Sequence, residues 1–247
     1  MRTLWKLIVV QTKLFLREPI GAFFTLAFAP LVLILFGAIY GNEPTPMFGG
    51  RGSMDVSVPA YMGLIVGTVG LMSVPIATSA RRETGALRRF RATPLRPLTY
   101  MISDVAVNFV MTLLGIAILV LMGTAVYHVR FEGNILSVLA AVSLGAFAFF
   151  AIGYIIAGLS PTARVAQIVG MVLLYPMMFL SGASMPLEIL PAGIRSVSSF
   201  LPLTHVVTLV RGLWAGDSWG QHGTEVIVLL GVLVVGTIIS ARTFRWE

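Results

Sequence analysis

Charge is scarce in this sequence. Only 11% of its 247 residues are Asp, Glu, Lys or Arg, against 57% that are hydrophobic, whereas a soluble domain carries about a quarter charged. So few polar groups cannot cover the apolar surface of a chain this long, which excludes a free-standing soluble domain and leaves lipid as the covering medium. Cysteine is absent, which excludes a disulfide framework, a thiolate metal site and a thiol redox couple. Lysine is nearly absent: Lys6 and Lys13 are the only two, and neither follows a glycine. The Gly-Lys-Ser/Thr core of a Walker A phosphate loop is therefore missing, and this chain cannot hold ATP in that manner. His128, His205 and His222 show neither HExxH nor paired spacing, so no metal site is expected. Ser181 stands before Gly182 but lacks the Gly-x-Ser-Gly context of an intramembrane protease, and no catalytic residue is expected. The net charge of +7 is no nucleic-acid signal, because the basic residues gather at the ends of apolar runs and form no groove interleaved with aromatics.

What is abundant is uninterrupted apolar sequence. The charge map predicts six spans, at residues 20–41, 57–80, 101–126, 135–159, 165–186 and 224–241, against the roughly 20 residues a spanning helix needs. The last is the shortest: only 16 residues lie between Glu225 and Arg242, so either this span tilts little or Glu225 sits in the headgroup layer. Asp104 and Glu225 are the only acids within these six ranges, and both stand near span ends, where a charge costs least. Pro30, Pro75 and Pro176 lie inside apolar runs and are tolerable where neighbouring helices satisfy the freed backbone groups. Gly63–Gly67 and Gly153–Gly158 are spaced for close helix packing. Phe147, Phe149, Phe150, Tyr154 and Tyr175 are candidates for packed or pathway-lining aromatics.

Orientation follows from the basic residues. With the N-terminus in the cytoplasm, Arg2, Lys6, Lys13, Arg17, Arg81, Arg82, Arg88, Arg89, Arg91, Arg96, Arg164, Arg242 and Arg245 lie inside, and only Arg51, Arg130, Arg195 and Arg211 outside. This bias places both termini in the cytoplasm and the chain in the cell membrane as a multi-pass protein. Ala27-Phe28-Ala29 resembles a leader-cleavage site, but the apolar run continues past it, so no removed leader is expected.

Three connecting segments carry pattern of their own. In residues 1–18, Arg2, Lys6, Lys13 and Arg17 fall within about 60° on a helical wheel, opposite Leu4, Ile8 and Phe15. An amphipathic helix lying in the lipid interface against anionic headgroups is predicted. Segment 81–97, RRETGALRRFRATPLRP, sets Ala86, Leu87 and Phe90 on one face of a short helix framed by arginines and ended by Pro94, a surface suited to a groove on a soluble partner. Segment 187–217 is moderately apolar and punctuated by Pro191 and Pro202, with Pro186 just ahead of it. It is too broken to span, and two short helices re-entering the outer leaflet reconcile its composition with backbone satisfaction.

Three motifs stand in order along the chain: Arg82-Glu83-Thr84-Gly85-Ala86-Leu87 with Ala92-Thr93-Pro94-Leu95; Phe179-Leu180-Ser181-Gly182-Ala183 with Pro186 and Leu190-Pro191; and Pro202-Leu203-Thr204-His205 with Arg211-Gly212. On these the chain resembles, over its whole length, the permease subunits of type-2 ABC exporters, the group that includes daunorubicin-resistance, nodulation-factor and polysaccharide-export permeases. It departs from that pattern at Leu201, where Asn is usual, and at His205, where Tyr is usual. The resemblance implies an all-α membrane domain with six spans, an interfacial first helix, a coupling helix between spans two and three, and outer re-entrant helices between spans five and six. It implies a non-enzymatic subunit paired with a second copy and driven by two separate ATP-binding subunits, which hold the ATP and Mg; no cofactor is expected in this chain. Arg82, Glu83, Thr84, Gly85, Leu87, Arg88, Arg89, Phe90 and Arg91 are the expected contacts with that partner. Glu83, the lone carboxylate among them, is expected to pair with arginines, in this chain or in the partner. Pro186, Pro191, Pro202, His205 and Arg211 are the expected outer gate. The short outer loops and lack of an added carbohydrate-binding domain favour a lipophilic, drug-like or lipid-like substrate.

Overall fold

The computed structural model describes residues 2–17, 19–48, 50–85, 97–184 and 191–243. The helices in chain order are α1 (Arg2–Arg17), α2 (Pro19–Leu26), α3 (Phe28–Tyr40), α4 (Ser53–Thr68), α5 (Val74–Glu83), α6 (Pro97–Tyr127), α7 (Ile135–Leu159), α8 (Ala163–Leu180), α9 (Ala192–Ser198), α10 (Pro202–Trp214) and α11 (Gly223–Thr243). No strand occurs among the described residues. Among the described residues, five helical stretches are long and apolar enough to cross a membrane: Ser53–Glu83, Met101–Tyr127, Ile135–Leu159, Ala163–Leu180 and Trp219–Thr243.

The first expected span is not one helix but two, and Pro30 is the cause. Proline has no N–H to give the carbonyl four residues back, so Leu26 loses its partner and α2 stops at that residue. Hydrogen bonds from Ala27 N–H to Phe23 O and from Leu31 N–H to Ala27 O, each 2.9 Å, carry the chain across the break into α3. The last span gains length from its flanks: α11 begins at Gly223, two residues before Glu225, and includes Arg242 in its final turn. An acid in the first turn and a base in the last both favour the helix dipole.

Ser53–Glu83 is the axis of the molecule. Its apolar window is 94% buried, against 17% for Ala163–Leu180 and Trp219–Thr243, so this helix faces protein on all sides while the latter two present most of their apolar surface outward. Pro75 sits within it, and the helix absorbs the missing donor in one π turn, Val69–Ser73, where Val74 N–H reaches back five residues to Val69 O. Neighbours approach this turn through glycines. A Cβ on Gly153 of α7 would strike the Gly70 carbonyl oxygen, and one on Gly170 of α8 would strike that of Leu71. Gly63 and Gly67 face Val207 and Leu203 of α10, and Gly158 faces the Thr243 carbonyl of α11. The small residues are packing sites. Phe149, Phe150 and Tyr154 are buried, whereas Tyr175 is exposed.

On α1, Phe15 is buried against Val107 and Met111 of α6, with Ile8 and Ala22 alongside. Gln11 Nε2 donates to Ser103 Oγ at 2.9 Å on the same face. The described part of the predicted apolar face, Ile8 and Phe15, thus packs on α6. Lys13 and Arg17 point away from it, beside exposed Val9, Val10 and Leu14; the side chains of Arg2 and Lys6 lie outside the described residues.

Candidate functional site

The last turn of α5 ends on three consecutive charged residues. Successive side chains on a helix leave it about 100° apart, so these three reach three different helices. Arg81 forms an ion pair with Asp104 of α6. Arg82 donates to Ala157 O at 3.0 Å and to Ser160 O, at the end of α7. Glu83 Oε1 accepts from Ala163 N–H at 2.8 Å, the first residue of α8. Helix ends leave carbonyls and N–H groups without partners, and here the cation meets the carbonyl end and the anion the N–H end, the favourable sense of both dipoles. Among the described residues the partner of Glu83 is this N–H group at the helix start; the arginines expected to pair with it at 88, 89 and 91 lie outside the described residues. Gly85 has φ +67° and its N–H bonds to Arg82 O at 3.0 Å, closing α5 in the left-handed conformation that glycine adopts without strain. Thr84 and Glu83 are exposed. Ala86, Leu87, Arg88, Arg89, Phe90 and Arg91 lie outside the described residues.

Asp104 is the centre of this end of the molecule. It is 2% exposed, the eighth residue of α6 and the fourth of the apolar stretch Met101–Tyr127, so it lies near the span end but is covered by protein. One oxygen takes Arg81 and the other accepts from the Tyr154 hydroxyl of α7 at 2.7 Å. Burial of a carboxylate is tolerable only with such pairing. Asn108 Nδ2 donates to Asp104 O at 2.9 Å and Thr112 Oγ1 to Asn108 O at 2.8 Å, so a polar stripe continues along α6. Its four-residue spacing is legible in the sequence; the partner Tyr154 is not. The assembly can transmit displacement, because a shift of the α5 terminus reaches α6, α7 and α8 together.

At the opposite end, Pro191 directly precedes α9 and Pro202 opens α10. His205 is buried and its Nε2 donates to Ser199 O at 2.9 Å, so it is not on a wet loop. Arg211 is half-buried in the last turn of α10. Pro186 lies outside the described residues. Helix α10 starts beside Gly67, well inside the central helix. It finishes where Trp214 Nε1 donates to Arg130 O at 2.9 Å, in the connection between α6 and α7.

A family comparison decides what kind of molecule this is. Residues 2–214 match the family described as ABC-2 type transporter. The chain belongs to that family. Among its relatives, the inner membrane transport permease YhhJ of Escherichia coli is 26% identical over 195 residues, 76% of this chain and 52% of that protein. Nodulation protein J of Rhizobium leguminosarum bv. viciae is 28% identical over 111 residues, 45% of this chain and 43% of the relative. The daunorubicin resistance ABC transporter permease protein DrrB1 of Streptomyces coeruleorubidus is 25% identical over 222 residues, 86% of this chain and 78% of the relative. The matched stretch is about half the length of the first two relatives. In this ABC-2 family member the Arg82-Glu83 motif is thus built into a junction of four helices.

Proposed function

We propose that this ABC-2 permease is the membrane subunit of an ATP-driven exporter. It works as a pair of copies with six spans each and both termini in the cytoplasm. Two separate ATP-binding subunits, which hold the ATP and Mg, dock on Arg82–Arg91. The observation that carries the reading is the Arg81-Arg82-Glu83 fan: a partner bound to the adjoining segment would pull on three membrane helices through one helix end. The first helix lies at the cytoplasmic interface with Arg2, Lys6, Lys13 and Arg17 towards anionic lipid. Segment 187–217 re-enters the outer leaflet and gates it, with Pro186, Pro191, Pro202, His205 and Arg211 in that gate; the entry of α10 to the depth of Gly67 supports this. Daunorubicin resistance in the name of one relative, and a probable multidrug permease of E. coli that is 24% identical over 162 residues, support a lipophilic drug-like or lipid-like substrate.

The test is reconstitution with the ATP-binding subunit. Leu87→Asp and Phe90→Asp should weaken co-purification or separate ATP hydrolysis from export, while the spans still insert. Either variant assembling and exporting like the parent would place the docking surface elsewhere. Glu83→Gln removes an exposed charge from the start of α8, a loss of about 0.3–1 kcal/mol. Its yield should stay close to the parent's while substrate-stimulated hydrolysis falls; equal falls in both would reduce Glu83 to a structural cap.

A further inference from the structure

Between the second half of α6 and the first half of α7 runs an apolar groove of ≈ 540 Å³, lined by Leu113, Ala117, Leu121, Leu139 and Val142 and closed at its mouth by Phe131 and Trp214. Its length along α6, from Leu113 to Thr124, is about 16 Å at 1.5 Å per residue, close to the roughly 15 Å depth of one leaflet's hydrocarbon. The groove has no polar handle. The Thr124 hydroxyl is spent on Val120 O at 2.9 Å and the Trp214 N–H on Arg130 O. Small polar ligands need a few convergent polar groups to orient them, so this lining suits a hydrocarbon chain.

The mouth supplies what the groove lacks. Trp214 is shared with a second, polar recess lined by Arg51, Asp55, Arg130 and Glu132. Most of its charges are already matched. Asp55 accepts from Gly52 N–H, Asn42 Nδ2 and Arg130 N–H, and Arg51 pairs with Glu132 at 3.2 Å. Arg130 is exposed, and its guanidinium has neither hydrogen bond nor ion pair among the described residues. A cation at the end of a leaflet-deep hydrocarbon slot matches the layout of a glycerophospholipid. We propose that this is a resident phospholipid site, with the phosphate on Arg130 and one acyl chain in the α6–α7 groove. Arginine is suited to the task because its fork offers paired donors to phosphate oxygens. The site is separate from the Arg81–Asp104 junction and does not depend on the transport assignment.

The full chain, purified in mild detergent from membranes, should carry one phospholipid by native mass spectrometry. Arg130→Ala removes a charge-assisted bond and should lower the retained fraction about tenfold or more. Ala117→Phe fills the slot from an exposed position and should do the same, with thermal unfolding close to the parent's in both. A parent that carries no lipid, or retention unchanged in both variants, overturns the site. So does disulfide formation between copies of an Ala117→Cys variant, since a second copy would then cover the groove.

Discussion

Asp104→Ala should be the most damaging single truncation at the junction, lowering stability by about 3–5 kcal/mol, because it leaves the Arg81 guanidinium buried without its counter-charge. The side chains of Arg81 and Asp104 are only 11% and 3% exposed, so water cannot replace the lost carboxylate. The thermal midpoint of the purified protein should fall accordingly, with reduced membrane yield. Arg81→Gln combined with Asp104→Asn removes both charges and should recover much of the loss, so that the double variant costs less than the sum of the singles. Tyr154→Phe deletes one hydrogen bond to the same carboxylate and should cost about 1–2 kcal/mol. Additive single effects, or an Asp104→Ala variant as stable as a surface substitution, would show that this pair does not hold α5 to α6.

Gly153→Ala should cost about 1–3 kcal/mol, the range for forcing extra volume into a packed interior, and Gly153→Val more. The added Cβ meets the Gly70 carbonyl oxygen and lies 3.1 Å from Val74 Cγ1, and backbone oxygen at a π turn cannot swing aside as a side chain would. Gly231→Ala is the control. It lies in α11 with nothing within 4 Å of a new Cβ, where helix propensity alone applies and alanine gains about 0.5–1 kcal/mol over glycine. Opposite signs in the two thermal midpoints are the expected outcome. A neutral Gly153→Ala would mean that α7 can back away from the central helix.

Lipid covering, the apolar runs and the amphipathic character of α1 were legible because each depends on composition or period along one helix, which the order of residues states directly. The same holds for the polar stripe Asp104, Asn108 and Thr112, four residues apart on one helix face. The kind of disruption each proline causes was not legible: Pro30 divides a helix, Pro75 provokes a π turn and Pro176 sits inside α8 without ending it. Local sequence gives every proline the same missing donor, and what differs is the packing around it. Partner choice was equally hidden. The sequence offers Glu83 a field of arginines, yet it accepts from Ala163 N–H, because the fold brings the unfilled N-terminus of α8, 80 residues away in the chain, to the end of α5. By itself, then, the sequence determined that this chain needs a membrane and where its long apolar runs lie, since burial of apolar residues is dictated by the solvent they must avoid. Only the tertiary structure decided that Ser53–Glu83 is the central helix and that Asp104 is a buried junction, since both depend on which surfaces meet across residues far apart in the chain.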